Sequence, residues 1–113
     1  MSDCLFCRIV AGSVPCKKVL ETDTLLAFHD ITPQAPVHVL ILPKKHIADT
    51  GALTENDRGL LGNLLLAAQR IANDLGLTQG HRLVLNCGKD GGQAVFHLHL
   101  HLLGGRPMTW PPG

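Results

Sequence analysis

The sequence predicts an α+β domain, in which the apolar face of a mainly antiparallel sheet lies under one long helix. Two observations carry this prediction. Residues 37–42 are apolar and β-branched, as a central strand requires, and Pro43 ends the run. From about residue 55 to residue 75, apolar residues recur at intervals of three and four, which indicates an amphipathic helix.

The ends of the long helix have their own signals. Thr54 and Asp57 form a plausible capping box before the first apolar residue, and Gly76 stands where a glycine commonly ends a helix. The other expected elements, in chain order, are a short helix over 4–11, a hairpin of strands over 19–20 and 24–29, a strand over 82–86, a glycine loop over 88–92 and a strand over 94–103.

Three histidines alternate with leucines in residues 97–103, which read His-Leu-His-Leu-His-Leu-Leu. In a strand, alternate side chains share a face, so the leucines and Phe96 are expected to point into the core and His97, His99 and His101 away from it. A merely solvated face is the alternative, but threonine, lysine or glutamate would serve it better. Imidazoles can act near neutral pH as nucleophile, acid or metal ligand.

Length and charge limit the partners. The chain has 113 residues and a net charge of +1 without a basic block, which argues against nucleic acid and anionic membrane surfaces as partners. No apolar run reaches the roughly 18 residues of a membrane span, and no leader sequence is recognisable at Met1. We expect one cytoplasmic domain over 1–113, acting on a small molecule.

The four cysteines are at positions 4, 7, 16 and 87. Without a secretory segment a disulfide framework is the less favoured use, and the spacing of Cys4 and Cys7 suggests a metal site instead. Cys16 and Cys87 have no comparable spacing and are interpreted as ordinary small residues.

The pattern of residues 97–103 resembles the motif that gives the histidine triad (HIT) family its name. Further blocks resemble its Hint branch, the histidine triad nucleotide-binding proteins, and follow in the same order along almost the whole chain. These blocks are Phe28-His29-Asp30-Ile31, Pro33-Gln34-Ala35-Pro36, Pro43-Lys44-Lys45-His46, Gly91-Gly92-Gln93 and Gly104-Gly105-Arg106 with Trp110-Pro111-Pro112-Gly113.

The resemblance implies a five-stranded HIT fold with a long helix and a short N-terminal helix, and a homodimer across which the sheet continues. It also implies that the tail 104–113 contributes to the dimer and to the active site, with Trp110 reaching towards the partner's pocket.

The activity implied is hydrolysis of purine nucleoside phosphoramidates, such as adenosine 5′-monophosphoramidate and AMP-lysine-type compounds, through a nucleotidyl-histidine intermediate. His99 matches the nucleophile, His101 a residue that hydrogen-bonds the phosphoryl group, and His97 flanks the phosphate. His38 corresponds to a fourth histidine that supports the nucleophile, although an ordinary buried imidazole is its alternative. Because the transferase branch carries glutamine at the third triad position, His101 favours hydrolysis over transfer.

The resemblance also implies a nucleotide site. Asp30 would bind the ribose hydroxyls, with ordinary turn chemistry as its alternative. The other residues implied are Val14, Phe28, His29 and Ile31 for the purine, Asn86, Gly92, Gln93, Ala94 and Val95 at the phosphate edge, and Trp110. Ala94 departs from the serine of many members, which puts turnover in question, and Phe96 replaces a frequent tyrosine.

Many bacterial members carry a Cys-x-x-Cys near the start, which resembles half of a structural zinc site. The ligands implied here are Cys4, Cys7, His46 and His97. Two thiolates and two imidazoles close a tetrahedron and leave no open position for catalysis by the metal. A pair of reduced thiols without metal is the alternative.

Two other functions stay open at this point. A dinucleoside polyphosphate hydrolase keeps the third histidine, but the tail at 104–113 favours the Hint branch. A nucleotide-binding regulatory scaffold with little turnover receives some support from Ala94.

Overall fold

The computed structural model describes residues 3–113, so the part of the predicted domain formed by residues 1 and 2, and the expectation about the start of the chain, lie outside the described residues. The helices are α1 (Leu5–Val10) and α2 (Arg58–Asp74). The strands are β1 (Lys18–Glu21), β2 (Leu25–His29), β3 (Val37–Pro43), β4 (His81–Val84) and β5 (Leu100–Gly104). The prediction of a five-stranded sheet with one long and one short helix is confirmed.

The five strands form one antiparallel sheet in the order β1-β2-β3-β5-β4. β3 is the central strand, and six of its seven residues are buried, which matches its uninterrupted apolar sequence. In its register with β5, His38 lies opposite Leu103 and Leu40 lies opposite His101. The sheet therefore places two of the histidines on neighbouring strands.

Both faces of the sheet are covered, whereas the sequence predicted one apolar face. Helix α2 packs on one face through Leu64, Ala68 and Ile71, against residues that include Leu100 and Leu102. Helix α1 packs on the other face, where Phe6 and Ile9 join a second apolar cluster that includes Leu26, Phe28, Leu40 and Leu42. The histidines of β3 and β5 lie on this second face, beside α1.

The long helix begins and ends close to its predicted limits. Its first turn, Glu55–Asp57, is a 3-10 turn, and the α-helix follows it. The backbone N–H of Thr54 donates to the Asp57 carboxylate at 2.9 Å, as the capping box predicts. Gly76 has a φ of 72° after the last turn, a conformation that glycine adopts without strain.

The strand predicted over 94–103 is much shorter in the structure, where β5 begins only at Leu100. The antiparallel register pairs Ile41 with Leu100, so the next position on β3 that would donate to this strand is Pro43, which has no N–H. Leu98 bonds instead to the Ile47 carbonyl at 2.6 Å. His97 and His99 therefore lie outside the strand, and the prediction that all three histidines line one strand face is wrong.

Two smaller differences have the same origin. Phe96, expected in the core, is 53% exposed because its segment has left the sheet. Strand β4 ends at Val84 rather than at 86; in its register Val84 pairs with His101, so Asn86 would need His99 as a partner, which lies before β5. The remaining shifts, at β1, β2 and α1, are of one or two residues.

No helix in residues 3–113 has both the length and the apolar composition needed to cross a membrane.

Replacement of Leu102 by alanine tests the core under α2. Leu102 is completely buried in the α2-side cluster, and its truncation leaves a cavity, so we expect the free energy of unfolding to fall by about 2–5 kcal/mol in chemical denaturation. Leu66→Ala is the matched control, because Leu66 is 66% exposed and its truncation is expected to change stability by less than about 0.5 kcal/mol. Equal losses in the two variants would contradict this placement of the core.

Candidate active site and metal centre

Three elements bring His38, His99 and His101 together. His38 lies on β3 and His101 on the neighbouring β5, with ring centroids 5.2 Å apart. His99 lies just before β5, and its ring centroid is 4.9 Å from that of His101. Asp30, in the loop after β2, places a carboxylate oxygen 3.5 Å from Nε2 of His38. Three imidazoles and one carboxylate thus form one cluster.

A backbone carbonyl fixes the tautomer of His99. The His99 Nδ1–H donates to the carbonyl of His97 at 2.7 Å, which leaves the lone pair on Nε2. The ring of Phe6 packs edge-on against the His99 ring, with centroids 4.9 Å apart and planes at 90°. His99 is therefore held from two sides with one nitrogen available as a nucleophile.

A backbone amide fixes the tautomers of His38 and His101. The N–H of Gln34 donates to Nδ1 of His38 at 3.0 Å, so the proton of neutral His38 is on Nε2. That Nε2–H faces Nδ1 of His101 at 2.9 Å, and the proton of His101 is consequently on its own Nε2. His99 thus offers a lone pair at Nε2, whereas His101 offers a hydrogen-bond donor at the same ring position.

Burial keeps these histidines neutral. It lowers the pKa of His38, against an opposing effect of Asp30, and it lowers the pKa of His99 although the His97 carbonyl and Asp30 raise it. Burial, followed by the neighbouring His99 and His38, lowers the pKa of His101 to about 4. Neutral rings are what the hydrogen-bond chain requires, since protonation of His38 or His101 would place two donors face to face.

His97 faces away from this cluster. Its ring is completely buried, and its Nε2–H donates to the carbonyl of Pro43 at 2.7 Å. The lone pair of Nδ1 then points to the two cysteines, at 3.4 Å from the Sγ of Cys4 and 3.5 Å from the Sγ of Cys7. The sequence placed His97 in the phosphate site and in the metal site, and its ring contacts the metal-site residues.

Four donor atoms, Sγ of Cys4 and Cys7 and Nδ1 of His46 and His97, lie within 4.8 Å of one another. Nδ1 of His46 is 3.3 Å from the Sγ of Cys7 and 3.3 Å from Nδ1 of His97. In a tetrahedron with ordinary zinc–nitrogen and zinc–sulfur bonds, donors are separated by roughly 3.3–3.8 Å. The arrangement predicted from the resemblance therefore fits a single tetrahedral metal ion.

The residues predicted for the purine divide into two groups. Phe28 is buried in the apolar cluster beside α1, and Val14 packs against this cluster, as does Val95 of the predicted phosphate edge. His29 and Ile31 are exposed, at the end of β2 and in the loop that follows. The predicted purine residues therefore comprise an apolar pair beside α1 and two exposed side chains that flank Asp30 in the sequence.

The carboxylate of Asp30 links the turn after β2 to the histidine cluster. One carboxylate oxygen accepts the N–H of Thr32 at 2.8 Å, which is the expected turn chemistry. The other oxygen faces His38. The turn therefore orients the carboxylate towards the histidine cluster.

In the glycine loop, the side chain of Gln93 braces the backbone. Its Oε1 accepts the N–H of Gly88 at 2.8 Å, and its Nε2 donates to the carbonyls of Ala48 at 2.7 Å and Val95 at 3.1 Å. These bonds use both N–H groups of the amide and one of the two lone pairs of its oxygen, so the Gln93 side chain holds the shape of the loop. Asn86 is partly buried, Ala94 is exposed, and Gly92 has a φ of 80°.

Trp110 lies on the tail and is 81% exposed. The preceding residue, Thr109, is tied to the sheet edge, because its carbonyl accepts from Nη2 of Arg82 on β4 at 2.7 Å. In a single chain, Trp110 is thus presented to solvent.

The sequence did not reveal three groups that shape the site. Phe6 is an aromatic residue between Cys4 and Cys7, a position that could have suggested contact with the metal-site histidines. The carbonyl of Pro43 and the N–H of Gln34 are backbone groups, which no side-chain pattern identifies.

Comparisons with known proteins agree with this fold and this cluster. A family model described as the HIT domain matches residues 11–108. An uncharacterized HIT-like protein of Synechocystis sp. is 53% identical over 111 residues, covering 98% of this chain and 97% of the relative.

Solved structures give the same result. A HIT family hydrolase from Legionella pneumophila Philadelphia 1 is 54% identical, with a TM-score of 0.97, covering 98% of this chain and 100% of the other. A histidine triad nucleotide-binding protein from Candida albicans is 31% identical, with a TM-score of 0.82, covering 96% and 83% respectively. Since the histidine cluster, the fold and these relatives agree along nearly the whole chain, the protein belongs to the histidine triad (HIT) family.

Proposed function

We propose that the protein is a purine nucleoside phosphoramidate hydrolase that acts through a covalent nucleotidyl-His99 intermediate. The observation that carries this proposal is the pair of opposite tautomers, with a lone pair at Nε2 of His99 beside an N–H at Nε2 of His101. The similarity to proteins named as a HIT family hydrolase and as a histidine triad nucleotide-binding protein supports a hydrolase that binds nucleotides.

In the first step, Nε2 of His99 attacks the phosphorus of the phosphoramidate. The new bond joins Nε2 of His99 to phosphorus, the P–N bond to the leaving group breaks, and that nitrogen takes one proton from solvent and leaves as an amine. As positive charge develops on the His99 ring, the His97 carbonyl stabilises the Nδ1–H. His101 donates its Nε2–H to a phosphoryl oxygen, where negative charge accumulates.

In the second step, water attacks the same phosphorus and gives a proton to solvent, and the N–P bond to His99 breaks, which releases the nucleoside monophosphate and restores the neutral His99 ring. His38 keeps His101 in the donor tautomer throughout. The partly exposed carboxylate of Asp30 accepts from the ribose hydroxyls, and Val14, Phe28, His29 and Ile31 contact the purine. Backbone N–H groups near Gly92 and Ala94 contact the phosphate, with Asn86 and Val95 beside them.

We further propose that Cys4, Cys7, His46 and His97 hold a structural zinc ion. Their donor separations support this assignment, as does the choice of two thiolates and two imidazoles. The zinc would fasten α1, which carries Phe6, and would fix the ring of His97 beside the nucleophile. The metal supplies structure, and the chemistry at phosphorus requires none from it.

The protein is also proposed to be a homodimer. In residues 3–113, β4 has a sheet neighbour on one side only, and the exposed Leu83 of this strand and Leu65 of α2 offer apolar surface. Pairing of two β4 strands would continue the sheet and bring the tail with Trp110 towards the partner's nucleotide site.

Replacement of His99 by alanine tests the catalytic proposal. Hydrolysis of a fluorogenic adenosine phosphoramidate is expected to fall by at least about a thousandfold, because the attacking nitrogen is lost. His81→Ala is the matched control, since His81 is an exposed histidine at the start of β4, away from the cluster. Mass spectrometry of quenched wild-type protein is expected to locate the nucleotidyl group on His99.

Equal rates for wild type and His99→Ala would refute catalysis by this residue. A protein that binds AMP but gives neither turnover nor adduct would be a nucleotide-binding scaffold.

Metal analysis tests the zinc proposal. Protein produced with zinc available is expected to contain about one equivalent per chain, and Cys7→Ser is expected to lose most of it. The control is Cys87→Ser, because Cys87 is exposed and outside the four-donor group. Wild-type protein with less than about a tenth of an equivalent would exclude the site.

The mass in solution tests the dimer. Light scattering at micromolar concentration is expected to give twice the chain mass of 12.1 kDa, and Leu83→Lys, which places a charge on the β4 edge, is expected to lower it. A monomeric wild-type mass would rule the dimer out.

A further inference from the structure

Arg106 joins the C-terminal tail to the loop between β2 and β3. Its Nη2–H and Nε–H both donate to the carbonyl of Gln34, at 2.9 Å and 3.3 Å, and its Nη1–H donates to the carbonyl of Pro107 at 3.0 Å. Two donors of one rigid guanidinium on one carbonyl oxygen restrict the orientation of that peptide group.

The same residue, Gln34, supports the histidine cluster. Its carbonyl accepts from Arg106, and its N–H donates to Nδ1 of His38. The other hydrogen bonds of this stretch are local, because the Gln34 side chain donates to Thr32 and the Thr32 N–H donates to Asp30. Arg106 comes from 72 residues further along the chain, so it anchors the loop to a separate part of the fold.

The tail also packs tightly at this point. An added Cβ on Gly105 would lie 2.9 Å from Cβ of Pro36, so the glycine backbone is in close contact with the end of the loop. Arg106 follows directly after this contact. The position of its guanidinium is therefore set by the close approach of Gly105 to Pro36 as well as by its own hydrogen bonds.

Displacement of the Gln34 N–H would loosen the control of the His38 tautomer, because the charged group that faces this ring, the Asp30 carboxylate, is 3.5 Å from Nε2, a longer separation than the 3.0 Å hydrogen bond from Gln34. Water at Nδ1 can either donate or accept, so His38 could then carry its proton on either nitrogen. In the alternative tautomer, a lone pair at Nε2 of His38 would face Nδ1 of His101. His101 would then carry its proton on Nδ1 and donate it to that lone pair. Nε2 of His101 would then lack the proton that it gives to a phosphoryl oxygen.

We propose that Arg106 is a positioning residue: by anchoring the carbonyl of Gln34 it holds the backbone of this residue in place, so that the Gln34 N–H, on the preceding peptide group, stays against His38 and keeps His38 and His101 in their Nε2–H tautomers. Its effect on turnover rests on the proposed hydrolase function, whereas its effect on the tautomers does not.

The test is long-range proton–nitrogen NMR of the imidazole rings in wild type, Arg106→Met and Arg106→Lys. Wild type is expected to show Nε2-protonated His38 and His101. Methionine removes every donor, so both tautomers of the two rings are expected in Arg106→Met, while lysine retains one donor and gives an intermediate result. With the phosphoramidate substrate, kcat of Arg106→Met is expected to fall about fivefold with little change in KM, as for one lost hydrogen bond.

The matched control is Arg82→Met. Arg82 also holds the tail through a backbone carbonyl, that of Thr109, but does not bond to the loop of Gln34. In Arg82→Met, the tautomers of His38 and His101 are expected to match those of wild type. A similar tautomer change in Arg82→Met and Arg106→Met would show a general effect of the tail and overturn the proposal. Wild-type tautomers in Arg106→Met, or an Nδ1-protonated His38 in wild type, would also overturn it.

The two proposals fail separately. Absence of turnover in wild type together with the expected tautomer changes would remove the hydrolase function and leave the role of Arg106 intact.

Discussion

The hydrogen bond from His99 Nδ1 to the His97 carbonyl is the interaction on which the site depends. It exists because the chain leaves the sheet before Leu100, opposite Pro43, which has no N–H to offer a strand. Released from the strand, the segment turns His97 to the cysteines and leaves its carbonyl for His99. One proline thus separates a metal-site histidine from the proposed nucleophile two residues later.

Backbone groups assign the proton positions of four histidines. Carbonyls of His97 and Pro43 accept from His99 and His97, and the Gln34 amide donates to His38, which in turn orients His101. Burial lowers the pKa of each of these rings, so they remain neutral and the chain of donors and acceptors is preserved. Chemically identical side chains can therefore differ in role.

Much of the fold could be predicted because its signals are local. The periodicity of α2, its capping residues, Gly76 and the apolar run of β3 each reflect neighbouring residues, and the elements formed where expected. The single-strand interpretation of the histidines was wrong because strand length depends on a partner, Pro43, that is remote in sequence. The gathering of Cys4 and Cys7 with His46 was predictable only from family resemblance, and Gln34 acts through its backbone.

The edge-on contact between Phe6 and His99 changes where the functional unit begins. The family model matches from residue 11 onwards, yet Phe6, which packs against His99, and two of the four sulfur and nitrogen donors come before that residue. A shortened version cut at the family boundary would keep the sheet, α2 and all three triad histidines while leaving His99 open on one side. In this protein, the residues that the family model matches do not include all those that contact His99 and His97.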